Sequence, residues 1–189
     1  MNKNLPTIQD LRSDLPTKAD QNDLNVILNN EPLKEWVKQY PFAKNVKYLP
    51  IERVEYLLTR IFLKWYVEIK SAQVAANSIV VTVRLFYQDV LSNEMLWQDG
   101  IGAAPLQTDK GAGAVDFNAI KSDAVMKAAP AAESYAIKDA AEKIGKLFGK
   151  DLNRADKIMY DSLAGTIAKE DKYTEIFNEP IKNETNEQN

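Results

Sequence analysis

Apolar and polar positions change period several times along the chain. Between residues 50 and 63, Val54, Leu57, Leu58, Ile61 and Phe62 recur at i, i+3, i+4, i+7 and i+8. That is one apolar helical face. Pro50 suits the first turn, where its missing N–H costs nothing. Arg53 and Arg60, seven apart, share a face of this helix. The period then falls to two. Trp65–Ile69 is a short β-rich run. In Ser78–Tyr87, Ile79, Val81, Val83, Leu85 and Tyr87 alternate with Val80, Thr82, Arg84 and Phe86, as in a strand with one apolar and one mixed face. Gln88–Glu94 reads as a turn, and Met95–Gln98 as the returning hairpin partner, broken by Asp99–Gly100 and Gly102. These runs predict an antiparallel meander.

Residues 102–122 read as a loop-rich crossing. Residues 123–148 are alanine-rich and strongly helical. Pro130 is expected to kink this helix or start its second half. Ala136, Ala140, Ile144, Leu147 and Phe148 form its apolar face, and Gly149 suits its stop. A further helix is expected at about Asn153–Ala168, carrying Ile158, Met159, Leu163 and Ile167. The order predicts an α+β fold, an antiparallel β-β-β sheet packed on a long α-helix.

The ends are polar. Residues 1–33 read as an extension, with a short helix near Asp23–Asn29, and residues 33–40 as a short amphipathic helical piece. A compact core domain follows over 34–168, then an acidic tail over 169–189. Pro180–Asn189 holds one apolar residue and is expected to be disordered. The first 16 residues hold no apolar core of a signal peptide. No stretch approaches the roughly 18 apolar residues of a membrane span. A soluble intracellular protein is the expectation.

Composition narrows the chemistry. The 189 residues include no histidine and no cysteine. A Cys or His metal cage, a thiol nucleophile, a Ser-His-Asp triad and a disulfide framework are excluded. The GAGAV segment at 111–115 lacks the following Lys-Ser/Thr of a phosphate-binding loop. The net charge of −3 argues, as an average, against nucleic acid. Its distribution does not: the net charge is −1 over 1–40, +3 over 41–90, −1 over 91–160 and −4 over 161–189. On a continuous helix Lys138, Lys143, Lys146 and Lys150 would fall within an arc of about 140°. Arg154 follows. Such a stripe is equally what a solvated helix face looks like. Arg84 sits within a β run, where it could cap the mixed face. Tyr48, Trp65, Tyr66, Phe86, Tyr87 and Trp97 are candidates for base stacking or for the core.

Three blocks carry a family likeness: VKYLPIERVEYLLTRIFLKWYVEI (46–69), VVTVRLFYQDVLSNEMLWQDGIGA (80–103) and AAESYAIKDAAEKIGKLFGKDLNR (131–154). In order and spacing the chain from Lys44 to about Arg154 resembles the Rad fifty-two superfamily of single-strand DNA annealing proteins, especially its phage and prophage members. The resemblance implies a β-β-β-α core assembled into an oligomeric ring or helical filament. It implies single-stranded DNA in a basic groove, annealing without ATP, and no cofactor or metal. It further implies work in the cytoplasm of a bacterial host or phage-infected cell, in recombination and double-strand break repair. Arg53 matches the family's helix arginine and Lys138 its long-helix lysine, both resembling phosphate-contacting residues. Arg60, Arg84, Lys143, Lys146, Lys150 and Arg154 complete the candidate DNA-binding set. Asp139 and Glu142 stand where several members carry basic residues, and Lys143, Lys146 and Lys150 are the candidates to compensate. The acidic tail is a candidate contact for a single-strand-binding or other replication protein, an autoinhibitory segment, or a solubility tail.

Two other readings stay open. One is a nucleic-acid or protein-binding scaffold without annealing activity. The other is a magnesium-dependent nuclease built on Asp89, Glu94, Asp99 and Asp116.

Overall fold

The structure is a computed structural model that describes residues 18–40, 43–62, 64–112 and 116–155. It is α+β, with two antiparallel sheets. The order is α1 (Lys18–Asn29), β1 (Lys38–Tyr40), β2 (Ala43–Tyr48), α2 (Ile51–Ile61), β3 (Trp65–Ala75), β4 (Ser78–Gln88), β5 (Met95–Pro105) and α3 (Ala124–Glu142). β1 and β2 form a two-stranded hairpin, and the larger sheet runs β3-β4-β5. No helix among the described residues is long and apolar enough to cross a membrane.

The alternation in β4 sets the layers. Ile79, Val81, Val83, Leu85 and Tyr87 are buried beneath α3, which packs across β4 and β5. The face of α3 toward the sheet is a row of alanines at every fourth position: Ala124, Ala128, Ala132, Ala136 and Ala140. Opposite it lie Gly100 and Gly102 of β5. A Cβ on Gly100 would collide with the Ala136 carbonyl, and one on Gly102 with the Ala132 carbonyl. These glycines were expected to end the strand. Instead β5 runs on to Pro105, because their missing side chains let the helix backbone lie against it. α2 closes one end of the core with Val54, Leu57 and Leu58, each fully buried.

Other boundaries differ from expectation. The segment read as a helical piece at 33–40 is a 3-10 turn, Lys34–Trp36, followed by strand β1. Strand pairing with β2 overrides its helical pattern. α3 keeps Pro130 inside it but ends at Glu142, well before Gly149. Gly145 determines that stop: its Cα packs on the Leu28 backbone of α1, with no room for a Cβ. Gly149 has φ 104° and caps the short 3-10 turn Lys146–Phe148 instead. Through Leu28, α1 joins the main core. Asn153–Ala155 are not helical. The rest of the helix expected there, the acidic tail and Gly113 lie outside the described residues.

Candidate nucleic-acid interface

The β1–β2 hairpin pairs Lys38 with Tyr48 and Gln39 with Lys47. Successive side chains point to opposite faces, so Lys38 and Tyr48 share one face and Gln39 and Lys47 the other. Lys38 and Tyr48 line a cleft of about 300 Å³, with Glu52 from α2 and Ser134, Tyr135 and Lys138 from α3. The Lys138 ammonium lies 5.1 Å from the Tyr48 ring centroid and 4.8 Å from that of Tyr135. Tyr40 sits edge-on to Tyr48 at 6.1 Å. A hydrogen bond to Tyr40, followed by burial, raises the Tyr135 hydroxyl above its ordinary pKa. Burial lowers the Lys138 pKa, and the carboxylates of Glu142 and Glu52 oppose that shift.

The second cation is Arg53, in the first turn of α2. Its guanidinium lies 4.9 Å from the Trp36 ring centroid, and Trp36 meets Tyr56 edge-on at 5.7 Å. Such stacking holds a guanidinium while leaving its N–H groups to bond elsewhere. Neither Arg53 nor Lys138 forms an ion pair among the described residues.

The other candidates are dispersed. Arg84 is on the sheet face away from α3, bidentate to Asp99 at 2.7 and 2.8 Å and 3.9 Å over the Trp97 ring. Lys143 bonds the Asp139 carboxylate and the Asp99 carbonyl. Asp151 takes Lys146 at 3.6 Å and Arg154 at 3.3 Å. Arg60 is exposed on the last turn of α2, and Lys150 is exposed in the turn after Gly149. The single basic stripe expected from Lys138 to Lys150 does not form, because α3 ends at Glu142 and the chain turns at Gly145.

Asp139 and Glu142 have separate settings. Asp139 accepts the Ile101 N–H of β5 at 3.0 Å, so it pins α3 to the sheet edge. Burial, and then repulsion from Asp139, raise the Glu142 carboxyl above its ordinary pKa. The four carboxylates of the nuclease reading do not gather into one metal-binding group among the described residues. Asp89 accepts from Leu91, Ser92 and the Ser92 hydroxyl, Asp99 holds Arg84, and Asp116 caps a short turn at Asn118. The Glu94 backbone carbonyl accepts the Asp89 N–H. No group of three metal-binding side chains occurs among the described residues.

The aromatic candidates also separate. Tyr87 is core, packed on Phe62 at 4.7 Å. Tyr66 and Phe86 stack at 4.7 Å on the open sheet face, where Tyr66 and Trp97 are about half exposed. Sequence reasoning missed Trp36, Lys38, Tyr40 and Tyr135. The signal for Tyr135 was its place three residues before Lys138 on a helix. The other three lay in the segment misread as helical.

Compared with known proteins, the chain matches no family model and no curated sequence.

Proposed function

We propose that this protein binds single-stranded DNA and anneals complementary strands without ATP, acting as a homo-oligomer. One observation carries the reading. Of the eight candidate cations, Arg53 and Lys138, the two matched to the annealing family, are each free of ion pairs among the described residues and seated against aromatic rings. Four of the others, Arg84, Lys143, Lys146 and Arg154, are bound to carboxylates of the same chain. Phosphate-directed cations suit annealing, since base edges must stay free for the second strand. A few contacts per protomer suffice when many protomers line one polyanion. On this reading the protein assembles as a ring or filament and works in the cytoplasm of a bacterial or phage-infected cell. The tail beyond residue 169 is its contact with other replication proteins.

The test is annealing of complementary oligonucleotides, with binding to a labelled single strand, for the wild type, Arg53→Ala, Lys138→Met and Lys143→Ala. The first two are expected to weaken binding about tenfold or more, and Lys143→Ala to have little effect. Wild-type protein that neither binds single strands nor speeds annealing would end the proposal.

A second reading, a protein-binding scaffold, has one observation in its favour. On the open sheet face Arg84 is neutralised by Asp99 and Lys70 by Glu68, while Tyr66 and Trp97 stay exposed. Failure of the wild type to bind single strands or speed annealing would favour it.

A further inference from the structure

Strand β3 is an edge of the larger sheet and pairs only with β4 among the described strands. Ile69 and Val74 lie opposite Val83 and Ile79 of β4, so they share the sheet face that carries α3. Val83 and Ile79 are buried there. Ile69 and Val74 are 54% and 58% exposed, because α3 packs across β4 and β5. The backbone of this edge is open as well. Gln88 of β4 donates its N–H to the Lys64 carbonyl on the β3 side, and the Asn77 carbonyl accepts the Leu106 N–H on the β5 side. Backbone bonds alternate in direction along a strand, so Ser78, Val80 and Thr82 bond to β3. Their partners there are Ala75, Gln73 and Ser71. Ala72 and Val74 therefore turn their N–H and C=O groups outward, away from β4.

We propose that this second half of β3 pairs antiparallel with the same segment of a second copy of the chain, about a two-fold axis through Gln73. In that register Ala72 of each copy faces Val74 of the other. Both residues bond outward, so the two pairs exchange four backbone hydrogen bonds. The same pairing sets Ala72 beside Val74 on the helix-bearing face and covers Val74. Three properties select a second copy over a foreign strand. The outward groups are symmetric about Gln73, so the edge is its own complement, as an isologous contact requires. Residues 71–81 carry no charge, so two chains of net −3 meet where neither repels the other. The bulge between Ile69 and Ser71, with Glu68 and Lys70 beside it, closes the first half of the edge to a longer strand. So short a pairing buries less than the roughly 1,200 Å² of a standard interface. It is a weak contact, populated where copies are concentrated. The inference names one interface of the homo-oligomer proposed above, and the pairing itself needs no DNA.

The test uses the full chain, which lacks cysteine. On the axis, Gln73 faces its own copy in a non-hydrogen-bonded pair with Cα atoms about 4.5 Å apart, a separation that a disulfide spans. Under mild oxidation Gln73→Cys is expected to form a covalent dimer at least tenfold faster than Ser71→Cys, which is also exposed but lies two residues off the axis. A mixture of Ser71→Cys and Ala75→Cys should cross-link faster than either alone. Adding Ala72→Pro, which removes an outward N–H and no bond to β4, should bring Gln73→Cys down to the Ser71→Cys rate with an unchanged circular dichroism spectrum. Adding Val74→Lys instead should do the same without a proline. Equal rates for Gln73→Cys and Ser71→Cys would overturn the proposal and leave the edge to a strand of another protein. Cross-linking that neither edge variant slows would overturn it too. No nucleic acid enters the assay, so failure of this interface and failure of DNA binding are separate results.

Discussion

Asp139, on the helix, accepts the backbone N–H of Ile101, on the edge strand of the sheet, at 3.0 Å. The same carboxylate holds Lys143, whose ammonium bonds the Asp99 carbonyl two residues along the strand. Helix and strand edge are therefore joined by side-chain bonds as well as by packing. Asp139→Ala is expected to lower unfolding stability by about 1–2 kcal/mol. Asp139→Asn, which keeps an acceptor, should lose less. Urea denaturation of both variants checks this.

Close packing at the two strand glycines gives a sharper expectation. A Cβ at Gly100 meets the Ala136 carbonyl and the Ala140 backbone, and neither can move without moving the helix. Gly100→Ala and Gly102→Ala are each expected to cost about 3 kcal/mol or to abolish folding. Ile101→Ala, between them on the open face, should change stability by less than about 1 kcal/mol. Similar losses at all three positions would show that the helix does not lie against the glycines.

These glycines also show how far the sequence could be read. The alternation of Ile79 to Tyr87 disclosed β4 because one face of that strand is buried beneath the helix. The helix face was legible from alanine spacing. What a single chain does not display is the partner across a contact. Gly100 reads equally as a break or as a place of close approach, and only the position of Ala136 decides. Gly145 is the same case, with Leu28 as the hidden partner. For the site, Arg53 and Lys138 were named from the likeness; the carboxylate that occupies Arg84 arrives from the neighbouring strand, whereas those that occupy Lys143, Lys146 and Arg154 stand only three to five residues away. Lys38 was hidden because a three-residue strand has too little pattern to outweigh the helical reading of its neighbours.

The Arg84–Asp99 pair carries a pH signature. The hydrogen bonds from Arg84 hold the Asp99 carboxyl below its ordinary value of 3.8. A carboxyl lowered by folding adds stability that is fully present above the unfolded value and is lost as pH falls through the lower folded value. The wild type should therefore lose stability in acid more steeply than Arg84→Gln does. Parallel denaturation curves from pH 6 to pH 2, with the Asp99 carboxyl followed by NMR, measure the difference. Identical pH dependence would mean that the pair is not formed in solution.

Lys138 separates fold from function. Its ammonium is partly desolvated between two rings, and that lowers its pKa. As for Asp99, the folded value lies below the unfolded one, so stability should rise with pH, here between the lowered folded value and the ordinary 10.5. At neutral pH the buried charge is a cost, so Lys138→Met is expected to be as stable as wild type, or more stable by about 1 kcal/mol. Single-strand binding should nonetheless fall, and its salt dependence should drop by about one counterion per protomer. Loss of stability together with binding would make Lys138 a structural residue.

The turn between β3 and β4 holds Ala76 at φ 51°, where a side chain is strained. Ala76→Gly is expected to stabilise the protein by about 0.5–1 kcal/mol, measured by thermal unfolding. A destabilised variant would show that the turn has another backbone conformation.

The two edges of the sheet are not equivalent. At its centre β5 has given its Ile101 amide to Asp139 and its Asp99 carbonyl to Lys143, and Pro105 at its end has no amide to give. β3 pairs only with β4 among the described strands, and its second half is exposed. The sheet thus has a valence of one. An incoming strand meets a single receptive margin, and two like sheets pressed together through β5 would first have to strip the helix of its anchors. A strand added to this sheet would pair with β3, and the far side would act as a stop.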